Sequence, residues 1–242
     1  MKRLNKYISD TGFCSRREAD KLIENNRVLV NGKAPELGTK IADGDTVQVD
    51  GKIIQSVAED KSDRVYLAYN KPVGITCTTE RKVKGNIVDA IGYHQRIFPI
   101  GRLDKPSEGL ILLTNDGDIV NKILRAENVH EKQYRVNVNK TLTPAFIEKM
   151  QAGVPILDTV TLPCRLKQAG KTSFDIVLTQ GLNRQIRRMC EYLGYEVTRL
   201  TRRRIMHIRL DGLKPGEYRT LKDKELLELN QALIDSRKTA KD

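Results

Sequence analysis

The chain has 242 residues, enough for one large domain or a small domain followed by a medium one. Its 43 Lys and Arg against 31 Asp and Glu leave a net charge of +12, a balance that favours a polyanionic partner. No apolar run approaches the roughly 18 residues a membrane helix needs. The basic start Met1-Lys2-Arg3-Leu4-Asn5-Lys6 leads into an amphipathic pattern and not a signal-peptide core, so a cytoplasmic protein with no membrane partner is expected. Cys14, Cys77, Cys164 and Cys190, like His94, His130 and His207, stand too far apart for a metal knuckle.

The first fifty residues read as a unit. Leu4, Tyr7 and Ile8 share one helical face, and Gly12 is placed to end that helix. Ser15 and Glu18 make a Ser-x-x-Glu capping box opening a second helix to about Glu24, with Ala19, Leu22 and Ile23 as its core face. Residues 27–33 read as a strand and a tight Asn31-Gly32 turn, and Ile41, Val47 and Val49 supply further short strands. Eight Lys or Arg against four acids fall in the first 33 residues, although residues 1–60 are neutral overall at ten of each sign. A basic face opposite an acidic back is a footprint of phosphate contacts, with Arg16 and Arg17 as the leading candidates. The polar stretch near residues 52–64 reads as a linker.

From Val65 the pattern mixes strands and helices. Val65–Tyr69 is a strand delivering Lys71-Pro72, and Val73–Thr78 is strand-like again. Residues 98–114 place Asp104 on a loop between two apolar runs, with Gly101 and Gly109 giving room to turn. Arg102 and Lys105 flank that carboxylate and favour its ionised, nucleophilic form. A helix opens near Asp116, residues 134–138 alternate as a strand, Phe146, Met150 and Val154 keep helical spacing, and residues 174–178 return to strand. Strands separated by single helices and hairpins argue for an α+β fold with a largely antiparallel central sheet.

Residues 181–210 carry eight Arg against Glu191 and Glu196, which is half the net charge of the chain. Asn183 is positioned to cap a helix that Gly194 ends, and Arg184, Arg187 and Arg188 decorate its polar side. Arg199, Arg202, Arg203, Arg204 and Arg209 follow. Arginine suits bidentate phosphate contacts, so this region is expected to face a phosphate-bearing polyanion.

Four ordered elements carry a family resemblance. Asn70-Lys71-Pro72-Val73-Gly74, then Gly101-Arg102-Leu103-Asp104 with residues 109–117, then Glu131-Lys132-Gln133-Tyr134, and Gly181 through Met189 resemble the motifs of pseudouridine synthases that modify ribosomal RNA. Residues 125–132, 150–157 and 204–206 look nearest to the F-like branch of the enzymes that modify large-subunit rRNA. The first 51 residues resemble the alpha-L RNA-binding module of a small-subunit ribosomal protein and of tyrosyl-tRNA synthetases.

The resemblance implies an isomerase with an RNA-binding module (1–51), a linker (52–64), a catalytic domain (65–230) and a polar tail (231–242). It implies Asp104 as the catalytic carboxylate, Arg187 as the basic residue pairing with it, and Tyr134 as the aromatic stacking on uracil. Arg102 resembles the side chain that fills the gap left by a flipped base, while Ile205, Leu210 and Leu213 all remain candidates to complete the base pocket. Whether Asp104 attacks ribose or base stays open. No metal or organic cofactor is required, and no Gly-rich phosphate loop appears. The expected partner is 23S ribosomal RNA or a pre-ribosomal particle; 16S rRNA and a tRNA anticodon loop share the same motifs, and a monomer is expected. The chain stops soon after the apolar run of residues 226–233, without the Lys-rich extension of some relatives. A ribosome-assembly factor or a plain RNA-binding regulator are the alternatives; the second leaves the motifs of residues 98–134 without a purpose.

Overall fold

The computed structural model describes residues 1–54, 64–80, 82–124 and 129–234, in two units: Met1–Arg64 with Asn115–Gly117, and Val65–Thr114 with Asp118–Asp242. Most of the expected linker and tail, and residues 125–128 of the branch motif, lie outside the described residues.

The first unit runs β1 (Lys2–Arg3), α1 (Leu4–Asp10), α2 (Arg16–Glu24), β2 (Val28–Val30), β3 (Lys40–Ile41), β4 (Val47–Val49) and β5 (Lys52–Ile54). The capping box forms as expected: the Glu18 amide donates to Ser15 Oγ at 3.2 Å, and the Ser15 amide donates to Glu18 Oε2 at 2.8 Å. Such a box satisfies two of the donors a helix start leaves unpaired. Leu4, Ile8, Ala19 and Ile23 close over Val28, Ile41, Val47 and Val49 in one small core. Asn31 and Gly32 both take positive φ (51° and 77°), as a tight Asn-Gly turn requires.

The second unit runs β6 (Tyr66–Lys71), α3 (Ile87–Ile91), β7 (Phe98–Ile100), β8 (Glu108–Thr114), α4 (Asp118–Leu124), β9 (Lys132–Val138) and α5 (Pro144–Ala152). It continues through β10 (Pro155–Ile156), β11 (Thr159–Val160), β12 (Arg165–Gly170), β13 (Ser173–Leu178), α6 (Gln185–Tyr192), β14 (Val197–Ile205), β15 (Ile208–Arg209), β16 (Tyr218–Thr220) and α7 (Asp223–Ala232). One sheet follows the order β12-β13-β9-β14-β8-β6-β16, with β7 added to β8 and β15 to β14. Its β14–β8 pairing is parallel and its other pairings are antiparallel. The fold is thus α+β with a mostly antiparallel sheet.

Alternation along β6 and β8 separates two apolar layers. Leu67, Tyr69, Ile111 and Leu113 pack with Leu103, Cys77 and α3. Ala68, Leu110 and Leu112 pack on the other side with α4, α7, Ile205 and Ile208. A third core joins Val136, Phe174 and Ile176 to α5 and α6, where Phe146 meets Phe174 edge-on at 5.6 Å. Tyr134 packs against the first and third of these layers, so it stands where they meet.

Two local expectations need correction. Residues 73–78 do not form a strand. Gly74 turns the chain at φ 93°, and Thr76 contributes a single bridge to Asn86. Asn183 does not cap α6; Arg184 stands there in the left-handed conformation (φ 51°), without a side-chain cap. The Gln185 side chain instead accepts the Leu182 amide, while Gly194 (φ 78°) does end the helix turn.

Candidate functional site

Asp104 lies on the loop between β7 and β8, which is fastened on both sides of it. The Leu103 amide donates to Cys77 Sγ at 3.3 Å, and Leu103 itself is buried. The Lys105 carbonyl accepts the Gly74 amide at 2.8 Å, and the Ser107 amide closes a turn onto the Asp104 carbonyl at 2.9 Å. From α6, Arg187 Nη2 donates to the Pro106 carbonyl and to Ser107 Oγ, both at 3.2 Å, while its Nη1 donates to the Val197 carbonyl. The Asp104 side chain is half-buried and makes no hydrogen bond or ion pair among the described residues. Its backbone is held and its carboxylate is left available.

The pairing expected of Arg187 with Asp104 therefore takes another form. Arg187 grips the loop at two positions beyond the carboxylate, and its attraction to Asp104 acts through space. Burial lowers the guanidinium's proton affinity first, repulsion from Arg184 adds to this, and Asp104 opposes both.

The sheet sets a row of residues beside this loop. In register, Lys71 lies opposite Gly109, Gly109 opposite Arg202, and Arg202 opposite Tyr134. Lys71 is fully buried; its ammonium donates to the carbonyls of Pro72 and Ile75, both at 2.9 Å. Burial lowers its pKa, against attraction from Cys77, Asp104 and Glu108. Gly109, at φ 109°, permits the closest approach: a Cβ there would sit 2.7 Å from the Arg202 backbone nitrogen. Lys132, two residues before Tyr134, is also buried, which lowers its pKa from 10.5 to about 8, with Arg202 repelling it further.

The arginines divide into two groups. Arg16 and Arg17, in the first turn of α2, are exposed, as are Arg102, Arg184 and Arg203, and none of the five makes an ion pair among the described residues. Of the two next arginines expected on the RNA face, Arg202 is buried and Arg204 is half-buried. Arg202 is 4% exposed, donates Nε to the Leu110 carbonyl at 2.7 Å, and keeps Nη2 buried without a hydrogen-bond partner among the described residues. Arg204 spends its donors on Glu131, Gln133 and the Met206 carbonyl. Arg188 folds back onto Asn183. The cause is β14, which runs through the middle of the sheet with a bulge between Arg202 and Arg204, so alternation turns part of an arginine run inward.

Ile205, Leu210 and Leu213 all join the layer around Leu110 and Leu112. That layer lies across β6 and β8 from the one holding Leu103 and Tyr134. Sequence reasoning left Lys71, Cys77 and Ser107 without roles and gave Gly109 only room to turn. A lone lysine closing an apolar strand before proline was a usable signal for Lys71; the loop contacts of Cys77 and Ser107 are long-range and left none. Among the described residues no three His, Cys, Asp or Glu gather as a metal site, and no helix is long and apolar enough to cross a membrane.

Comparison with known proteins adds the family. Residues 65–192 match the RNA pseudouridylate synthase model, and residues 2–47 match the S4 domain. The chain is 56% identical over 239 residues to the dual-specificity RNA pseudouridine synthase RluF of Salmonella typhi, covering 99% of this chain and 82% of that protein. It is 35% identical over 251 residues to the ribosomal large subunit pseudouridine synthase B of Bacillus subtilis, covering 99% and 100%. A crystal structure of a pseudouridylate synthase aligns with TM-score 0.69 at 26% identity, covering 95% of this chain and all of that one. With its loop-borne carboxylate, its tyrosine between two cores and its leading S4 domain, the chain belongs to the RNA pseudouridylate synthase family and is an isomerase of uridine in RNA.

Proposed function

We propose that this protein converts uridine to pseudouridine in 23S ribosomal RNA, using Asp104 as the nucleophile. The observation that carries this is the clamped loop, which holds Asp104 by its neighbours while its carboxylate makes no hydrogen bond or ion pair among the described residues. The reaction breaks the bond between uracil and ribose, turns the base and rejoins it through carbon five. That calls for a carboxylate fixed in place before the substrate arrives. Tyr134 stacks on the uracil and serves the late proton transfer. Arg187 keeps the loop in register and supplies positive potential beside the carboxylate.

Flipping the target nucleotide out of its stack costs roughly a few kcal/mol. Arg102, exposed two residues before Asp104, fills the space the base leaves. The module of residues 1–51 brings RNA to the catalytic domain of residues 65–230 through Arg16 and Arg17, with Arg184 and Arg203 meeting further phosphates. The protein acts as a monomer in the cytoplasm. The similarity to a ribosomal large subunit pseudouridine synthase favours a target in large-subunit rRNA, and the similarity to a dual-specificity synthase favours a second RNA, for which a tRNA anticodon loop is the candidate.

The test uses purified protein and transcribed 23S rRNA. Wild type is expected to form pseudouridine at a defined uridine. Asp104→Asn should lower the single-turnover rate by at least about a thousandfold while still binding the RNA. An Asp104→Asn protein retaining a tenth of the activity would remove the assigned nucleophile.

A further inference from the structure

A second aromatic group lies on the Asp104 side of the sheet and has no part in the chemistry above. Helix α3 ends at Gly92, whose left-handed backbone (φ 61°) turns the chain so that Tyr93 and His94 leave the helix sideways. The Tyr93 and His94 rings lie 4.4 Å apart, and Tyr93 meets Tyr218 edge to face at 5.9 Å and 82°. Tyr218 sits on β16, the edge strand, directly opposite Tyr69 of β6, so both project from the same face. Tyr69 belongs to the buried layer that contains Leu103, and both Tyr93 and Tyr134 pack against that layer. The trio and the catalytic tyrosine thus flank one core on one face.

These rings are conspicuous in a chain with only 8 Tyr, 4 Phe and no Trp. Tyr69, Phe146, Phe174 and Tyr195 are buried and Tyr93 is half-buried, whereas His94 is exposed and Tyr218 is 43% exposed; Phe13 and Tyr192 are exposed too, but among the described residues they have no ring contact. The Asp104 loop and the segment bonded to it carry exposed cations that suit a polyanion, although Glu217 beside Tyr218 and Asp89 on α3 are exposed acids. Arg102 and Lys105 are exposed on the Asp104 loop. Lys82 and Lys84 are exposed on the stretch after Gly74, whose amide bonds that loop.

We propose that Tyr93, His94 and Tyr218 form a stacking platform for an unpaired base of the substrate RNA, distinct from the pocket that takes the target uridine. Pulling one nucleotide out of a helix leaves its neighbours without a stacking partner, and an aromatic surface accepts any base because every base has a π-face. The proposal rests on the RNA-modifying reading and adds to it a second contact for the same strand.

The test uses the full-length protein and a stem-loop RNA carrying the modified uridine, with 2-aminopurine placed in turn at each unpaired position around it. Wild type is expected to quench the probe at one of these positions. Tyr218→Phe, which keeps the ring, should keep the quenching. Tyr218→Ala and His94→Ala should lose it and bind the RNA about tenfold more weakly. The salt dependence of binding should stay the same, since no phosphate contact is removed. Quenching and affinity kept in both alanine variants would overturn the platform, as would weaker binding with a shallower salt slope, which marks phosphate contacts instead. Pseudouridine formation by wild type in the same RNA reads the reaction separately, so failure of the platform and failure of the synthase assignment give different results.

Discussion

At the scale of single residues, the same side-chain type plays opposite parts according to where the sheet puts it. Arg202 and Arg203 are neighbours, yet Arg202 is buried against the Leu110 carbonyl and Arg203 is exposed. Arg203→Ala should therefore make RNA affinity less salt-dependent by about one counterion and leave stability within ~0.5 kcal/mol. Arg202→Ala should leave the salt slope alone and lower stability by about 2–4 kcal/mol in urea titration, through a cavity and an orphaned carbonyl. Equal salt effects from both would contradict the burial. Lys132 gives a pH signature. Its pKa falls from 10.5 to about 8 on folding, so between these values the unfolded chain holds a proton that the folded chain has lost. Stability then rises with pH across that window, and below pH 8 the cost of burying the cation is undiminished. Relative to Lys132→Met, wild type should gain about 3 kcal/mol from pH 7.5 to 10.5; a constant gap would contradict it. The loop position of Asp104 was legible, because a carboxylate between two cations and two glycines is a local pattern, whereas its catalytic role came only from the family resemblance. The burial of Arg202 was not, because a dense arginine run reads as surface until strand order is known.

At the scale of elements, legibility followed how local the cause was. The capping box of α2 and the Asn31-Gly32 turn are written in four or fewer residues, and both form as read. The strand reading of residues 73–78 failed because β-like composition does not say whether a partner strand is present. The clamp on the Asp104 loop draws on Cys77, Gly74 and Arg187, up to 81 positions away, so only the fold assembles it. Gly109 marks the tightest point of this assembly, where β8 and β14 run parallel. Gly109→Ala would push a methyl into the Arg202 backbone at a φ that disfavours any side chain. It should cost about 3 kcal/mol or more of stability and depress activity with it, as read by urea unfolding and single-turnover assay. A variant as stable as wild type would mean that the strands approach less closely.

At the scale of the whole molecule, charge and architecture point the same way. The chain carries +12, and exposed arginines without an ion pair among the described residues occur in both units, at Arg16 and Arg17 of α2 and at Arg102, Arg184 and Arg203 of the synthase unit. The fold class was legible because short strands, single helices and hairpins exclude regular strand–helix alternation. The strand order, with its parallel step between β14 and β8, was not, since it depends on pairings distant in sequence. The central claim is that this assembly serves isomerisation at Asp104. Its most direct test is pseudouridine mapping of total RNA from cells lacking the protein, complemented with wild type or with Asp104→Asn. Loss of the modification at a defined 23S uridine, restored by wild type and not by Asp104→Asn, is the predicted result. A map unchanged across all rRNA and tRNA would contradict the account and favour a ribosome-assembly role in its place.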